Sequence, residues 1–196
     1  MSNRAHAQFV NPTWILRVGV SPTVPVGDFA TKESAKLGVG ANLAWHYFFF
    51  RDLAVGGVTG MHWVNSRNSS LPNFDSLSRT DFFIVPLLAS AQYHIIEKHD
   101  DILTPDPYFG LDAGAYFFFR RTKVTERITD IRNGETVEVN EKHNALDVNF
   151  GIAPQIGVST MFTTNLGIYL EAKAHFTFGS QMRFLVTPNA GLVVRY

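Results

Sequence analysis

No cysteine occurs in the 196 residues, so disulfides, thiolate nucleophiles and Cys-based metal sites are excluded. Charge is scarce and balanced: 17 Lys+Arg offset 17 Asp+Glu, and only 17% of residues are charged, against ~25% in ordinary soluble domains. A formal charge of zero provides no bulk attraction to a nucleic-acid polyanion, and no nucleic-acid partner is expected. Long apolar runs are missing too. The longest candidate, 82–89, contains Pro86, whereas a helix needs about 20 apolar residues to cross a bilayer. A transmembrane helix is therefore excluded, but a membrane-crossing sheet is not. P-loops, Rossmann fingerprints and zinc spacings are also absent, and no cofactor is expected.

Aromatic residues, by contrast, reach 13% of the chain, led by 17 Phe. Apolar residues alternate with Gly, polar or small ones over long stretches, which is the period of a strand. Eight such stretches are read, at 13–24, 35–50, 53–66, 80–96, 108–125, 144–162, 166–178 and 184–196. Their lengths exceed an ordinary strand of about six residues and match a tilted bilayer crossing. In the second stretch Leu37, Val39, Ala41, Leu43, Trp45, Tyr47 and Phe49 share one face, opposite Gly38, Gly40, Asn42, Ala44 and His46. The fifth, sixth and seventh repeat the division. Short connections at 51–52 and 163–165 alternate with long polar ones at 25–34, 67–79 and 126–143, which describes up-and-down topology with two unlike ends.

Glycine decides which face is enclosed. Gly19, Gly38, Gly40, Gly56, Gly60, Gly110, Gly114, Gly151, Gly157, Gly167 and Gly191 all fall on the polar face. Eight strands enclose a space just wide enough to be filled by side chains, so the small residues belong inside and the bulky apolar face outside. An apolar belt of that extent is stable only against lipid. Trp14, Trp45, Tyr47, Phe49 and Tyr93 group toward the short-turn end, and Trp63, Phe83, Phe117, Phe119, Phe176 and Phe178 toward the long-loop end, as two interfacial girdles. The fold class expected is all-β: a closed antiparallel up-and-down transmembrane barrel of eight strands over 11–196, with a side-chain-filled polar interior. Residues 1–10 read as a tail, in which Ala5-His6-Ala7 has the A-x-A form of an export cleavage site. Pro86, Pro154 and Pro188 each remove a ladder donor within a strand and call for bulges.

This pattern resembles the small eight-stranded bacterial outer-membrane barrels of the OmpA/OmpX type and the outer-membrane barrel families common in Bacteroidetes. Leu192, Val194 and Tyr196 at the end are similar to the C-terminal signal read by the barrel-assembly machinery, although the family more often ends in Phe. The resemblance implies a bacterial outer membrane, contact with its lipid and lipopolysaccharide, short turns in the periplasm and long loops outside the cell.

Inside, a lumen charge network of Arg17, Asp112, Arg120, Glu171, Lys173 and Arg195 is expected, because charge in so narrow a space must be paired. Asp147 joins the carboxylates of that inward set, and His46, His62, His94 and His175 face the lumen as hydrogen-bonded side chains without metal-ligand spacing. The enzymes known on such barrels are lipid A-modifying, and the deacylase family expects His-x-Ser on the lipid side. Here the same spacing is His175-x-Thr177, facing the lumen, with Ser180 beyond. The function expected is non-enzymatic: a structural or interaction component acting through its external loops. A narrow pore and a lipid A-modifying enzyme are the alternatives. The loop ribbon within 122–143, with Arg127, Arg132, Glu135 and Glu138 around an Asn133-Gly134 turn, is the candidate surface for a protein partner.

Overall fold

The computed structural model describes residues 14–50, 52–68, 76–95, 103–129, 136–179 and 181–196, with the side chains of 67–68, 76–78, 125–129 and 136–140 left undescribed. The strands are β1 (Trp14–Val26), β2 (Gly38–Phe48), β3 (Leu53–Asn68), β4 (Ser76–His94), β5 (Asp106–Thr129), β6 (Thr136–Met161), β7 (Leu166–Phe178) and β8 (Arg183–Arg195). Each pairs antiparallel with the next, and β1 closes on β8. The expected architecture is therefore the one observed. The 1–10 tail and Ser180 lie outside the described residues, as do Asn133, Gly134, Arg132 and Glu135.

Alternation translates directly into wall and lumen. Val39, Leu43, Trp45, Phe109, Leu111, Leu146, Phe150, Leu170 and Leu192 are exposed on the outer wall, while Arg17, His46, Asp112, Asn149, Lys173 and Thr177 are buried. Trp14 packs on Tyr47 at 4.8 Å between ring centroids in one girdle, and Trp63 stacks on Phe83 at 6.2 Å in the other. A continuous apolar wall of this kind is stable only where hydrocarbon replaces water. The glycines permit close approach inside. Gly19 stands opposite Gly191 across the β1–β8 seam, and the Tyr169 ring fills the space above the pair. A Cβ on Gly19 would lie 2.2 Å from Tyr169 Oη.

The prolines are accommodated without bulges, which corrects the expectation. The β3–β4 register is the same at Thr59↔Leu87 and His62↔Ile84, and only the pairs between them, which include Pro86, drop out. Thr59 Oγ1 donates to the Pro86 carbonyl at 2.9 Å there. Pro154 interrupts β6–β7 between Ile152↔Phe176 and Gln155↔Lys173 in the same manner. Pro188 sits at the register position of Pro22, so the β1–β8 ladder is silent between Val20↔Ala190 and Val24↔Val186. A proline costs the ladder only on the side its nitrogen faces, and each keeps its pairing on the other: Leu111↔Pro154, Ala172↔Pro188, Pro22↔Val39.

Two of the long connections are strand in part. β3 and β4 run to Asn68 and from Ser76, and β5 and β6 run to Thr129 and from Thr136. The β5–β6 extension matches the expected ribbon, whereas the β3–β4 extension was not expected, because strand beyond the lipid belt needs no apolar stripe. The expected two-stranded ribbon is accordingly part of a wall of four strands, β3 to β6, standing above the rest of the barrel. The 25–34 connection also departs from expectation. Gly27, at φ 62°, turns the chain into a one-turn helix, α1 (Asp28–Thr31), and drives Phe29 into the barrel mouth.

Candidate functional site: the lumen network and the long-loop rim

The lumen is filled in three layers. At the short-turn end Ile15, Phe48, Ala54, Met161, Tyr169 and Val193 form an apolar floor. Its residues come from strands alone. Above it lies the polar layer, where Lys173 from β7 donates to Asp112 Oδ2 from β5 at 2.8 Å and stands 3.3 Å from Glu171 Oε1. Gln155 Nε2 donates to the second Asp112 oxygen at 2.7 Å, and Gln92 Nε2 reaches Gln155 Oε1 at 3.3 Å. Arg17 Nη1 donates to Gln92 Oε1 at 2.6 Å and its guanidinium lies 4.2 Å above the Tyr108 ring. Tyr108 Oη donates to Glu171 Oε2 at 3.0 Å, which completes a ring of contacts across five strands.

Of the six residues expected in the charge network, the structure brings four together: Arg17, Asp112, Glu171 and Lys173. Arg120 is half-buried and sits at the register of Phe82 and Ala145, well toward the long-loop end. Arg195 faces Ile15 across the β1–β8 seam, at the short-turn floor. Both share the inward face with the network but lie at other heights along the barrel.

The four lumen histidines join side chains of the wall. His46 Nε2 pairs with Ser90 Oγ at 2.9 Å, His94 Nδ1 with Asp106 Oδ2 at 2.7 Å, and His62 Nδ1 with Thr23 Oγ1 at 2.9 Å. His175 is held by Tyr116 Oη at 2.9 Å and Thr187 Oγ1 at 2.8 Å. Thr177 Oγ1 donates to the Arg183 carbonyl at 3.2 Å. His175 and Thr177 are thus engaged with different partners.

The third layer closes the long-loop mouth; Asp147 was expected inside, whereas Arg183 and Glu33 escaped sequence reasoning. Arg183 is buried, with Nε 2.8 Å from Glu33 Oε1 and Nη2 3.5 Å from Asp147 Oδ2. Its guanidinium lies 4.5 Å over Phe118 and 5.7 Å over Phe29. Phe29 meets Phe82 edge to face at 5.3 Å, and Ser66 Oγ donates to the Glu33 carbonyl at 2.5 Å. Running the alternation of the eighth stretch back by two residues, from Leu185 to Arg183, would have placed Arg183 inside. Glu33 carries no such signal, because its position depends on the turn at Gly27.

At the rim, the far edge of β6 is open among the described residues. β6 pairs with β5 along its whole length, down to Thr129↔Thr136, whereas β7 begins its pairing at Phe150↔Phe178. Residues 136–149 therefore have a neighbour on one side only among the described residues. Arg127 and Glu138 are register partners in this hairpin.

A closed eight-stranded barrel with a lipid-compatible wall, a packed lumen and two unlike ends is the fold of the small outer-membrane barrels. Among solved structures, the chain is similar to the outer membrane protein OprG from Pseudomonas aeruginosa, at 15% identity and a TM-score of 0.53 over 94% of this chain and 95% of that one. It is also similar to Ail, the attachment invasion locus protein of Yersinia pestis, at 14% identity and a TM-score of 0.50 over 95% and 100% of the two chains. No protein-family model and no curated protein matches the sequence.

Proposed function

We propose that this protein is a non-enzymatic component of a bacterial outer membrane, oriented with its long-loop end outside the cell, that captures a protein partner through the projecting β5–β6 hairpin. The observation that carries this reading is the open edge of β6 along 136–149. An unpaired edge offers a row of N–H and C=O groups to an added strand. Backbone direction alternates along a strand, and the Pro154 nitrogen faces β7. Asn144 and its even-numbered neighbours thus turn their donors to the open side. The side chains filling the lumen favour an interaction role over a pore, and the fold similarity to an attachment protein agrees with that role.

Asn144→Pro tests it, because the substitution removes an edge donor and leaves the β5 ladder intact. Wild-type and variant protein are purified from native membranes in mild detergent. A companion retained by the wild type and lost from a still folded variant supports the proposal. Equal recovery of the same companions by both rejects it, as does the absence of any companion of the wild type.

A further inference from the structure

Charge beside the open edge of β6 differs between the tip and the base of the hairpin. Near the tip, Arg127 stands opposite Glu138, so the register joins opposite signs. At the base it does the reverse. Lys142 on β6 stands opposite Lys123 on β5, and Lys123 opposite Arg79 on β4. All three side chains are exposed, and they continue the outward alternation of Leu146, Phe119 and Phe83. Arg79 is partly neutralised, its Nε lying 3.4 Å from Asp81 Oδ1. Lys123 and Lys142 form no ion pair among the described residues, and neither does Arg121, the register partner of Asn144. Like charges directly opposite in a sheet repel, and opposite charges attract. Lys142 is the end member of this row, with Lys123 on one side and the open edge on the other. An acidic side chain on an added strand would stand directly opposite it and relieve the conflict.

The inner face favours the same sign by a different route. Arg120 is half-buried on β5 and also makes no ion pair among the described residues. Its register partner on β6 is Ala145. Alanine leaves the space above the backbone clear, and the position beyond it belongs to the added strand, two strand spacings or about 10 Å from Arg120. A guanidinium on its long stem and a glutamate can meet across that gap. The carboxylates of β6 on this face are already engaged. Asp147 Oδ2 lies 3.5 Å from Arg183 Nη2, and Glu141 Oε2 lies 3.2 Å from His143 Nε2.

From this arrangement we infer that the strand captured at the β6 edge is acidic, with one carboxylate opposite Lys142 on the outer face and a second opposite Ala145, reaching Arg120, on the inner face. The two positions are three residues apart, and an odd spacing along a strand puts them on opposite faces. Leu146 is exposed level with the Trp63–Phe83 girdle, so the residue facing it is apolar. Backbone hydrogen bonds supply affinity at such an edge, and the side chains select which strand is taken. This selectivity rests on the edge pairing proposed above.

The test uses the full chain in detergent micelles and a fluorescent, end-blocked heptapeptide, Thr-Val-Glu-Thr-Thr-Glu-Thr. Paired antiparallel to β6, the more stable direction, it sets Val opposite Leu146 and its two Glu opposite Ala145 and Lys142. Fluorescence anisotropy at low salt is expected to show it bound about tenfold more tightly than a twin with Gln for both Glu, from two cross-strand charge pairs. Lys142→Gln and Arg120→Gln should each weaken the acidic peptide about threefold and leave the Gln twin unchanged. Molar salt should erase the difference between the peptides. Asn144→Pro should release both. Equal affinity of the two peptides for the wild type overturns the inference, while their shared loss from Asn144→Pro leaves the edge pairing standing. An acidic preference that survives Asn144→Pro overturns the edge pairing and the acidic strand together, and makes the cations a site for soluble anions. Failure of either peptide to bind at millimolar concentration overturns the inference as well.

Discussion

The two ends of the lumen are closed by different means. The short-turn floor is made of strand residues alone, Ile15, Phe48, Ala54, Met161, Tyr169 and Val193, each inward by simple alternation. The long-loop mouth is closed by Phe29 and Glu33, brought in from a connection and fastened by Arg183 on β8, 150 residues away. The first closure is part of the barrel's cooperative unit. The second is a docked segment that can open while the barrel stays intact, because local openings need only the free energy of the contacts they break.

The polar layer between these ends should give the largest effect. Lys173→Met leaves Asp112 and Glu171 buried without their shared cation. Removing one partner of such a group costs about 3–5 kcal/mol. Urea unfolding in lipid vesicles, followed by tryptophan fluorescence, should show that loss in global stability, and a midpoint like the wild type's would refute the structural role of the layer.

The two closures separate next. Phe48→Ala and Phe29→Ala each remove a buried ring worth about 3 kcal/mol. Phe48→Ala is expected to lower the global midpoint. Phe29→Ala should leave that midpoint nearly unchanged and speed amide exchange around α1 by about a hundredfold. Equal shifts of the midpoint would erase the distinction between an integral floor and a docked lid. A smaller effect is expected for Glu33→Gln, which weakens the Arg183 contact at a carboxylate that is partly exposed. About 1 kcal/mol is expected, again visible in exchange of 28–35 and reduced by added salt.

The smallest effect concerns the seam. Replacing both Pro22 and Pro188 by Thr restores donors where the β1–β8 ladder is silent. The gain should be under about 1 kcal/mol, because regained hydrogen bonds are offset by greater freedom of the unfolded chain. A destabilised double variant would show that the interruption has a packing role.

Legibility in the sequence followed the same division. Leu43, Trp45, Leu111 and Leu170 were assigned to the wall, and Arg17, Asp112, Glu171 and Lys173 to the lumen, because a two-residue period in a closed sheet leaves each side chain one of two directions. Height was not legible in that way. Arg120 and Arg195 have the correct direction but lie near opposite mouths, since height depends on the stagger of eight strands. Projection of β3 and β4 beyond the belt was also hidden, because strands in water carry no lipid-facing stripe; that of β5 and β6 was signalled by the Asn133-Gly134 turn motif. That Arg79, Lys123 and Lys142, far apart in the chain, stand side by side across β4, β5 and β6 likewise follows only from the register.

Inside against outside, membrane against water and the up-and-down order are local consequences of alternation, glycine placement and turn length, and they can be read without coordinates. Which charges meet, what closes the long-loop mouth and which edge stays open depend on register around the closed sheet. That register is a property of all eight strands together, so no single segment of the chain encodes it.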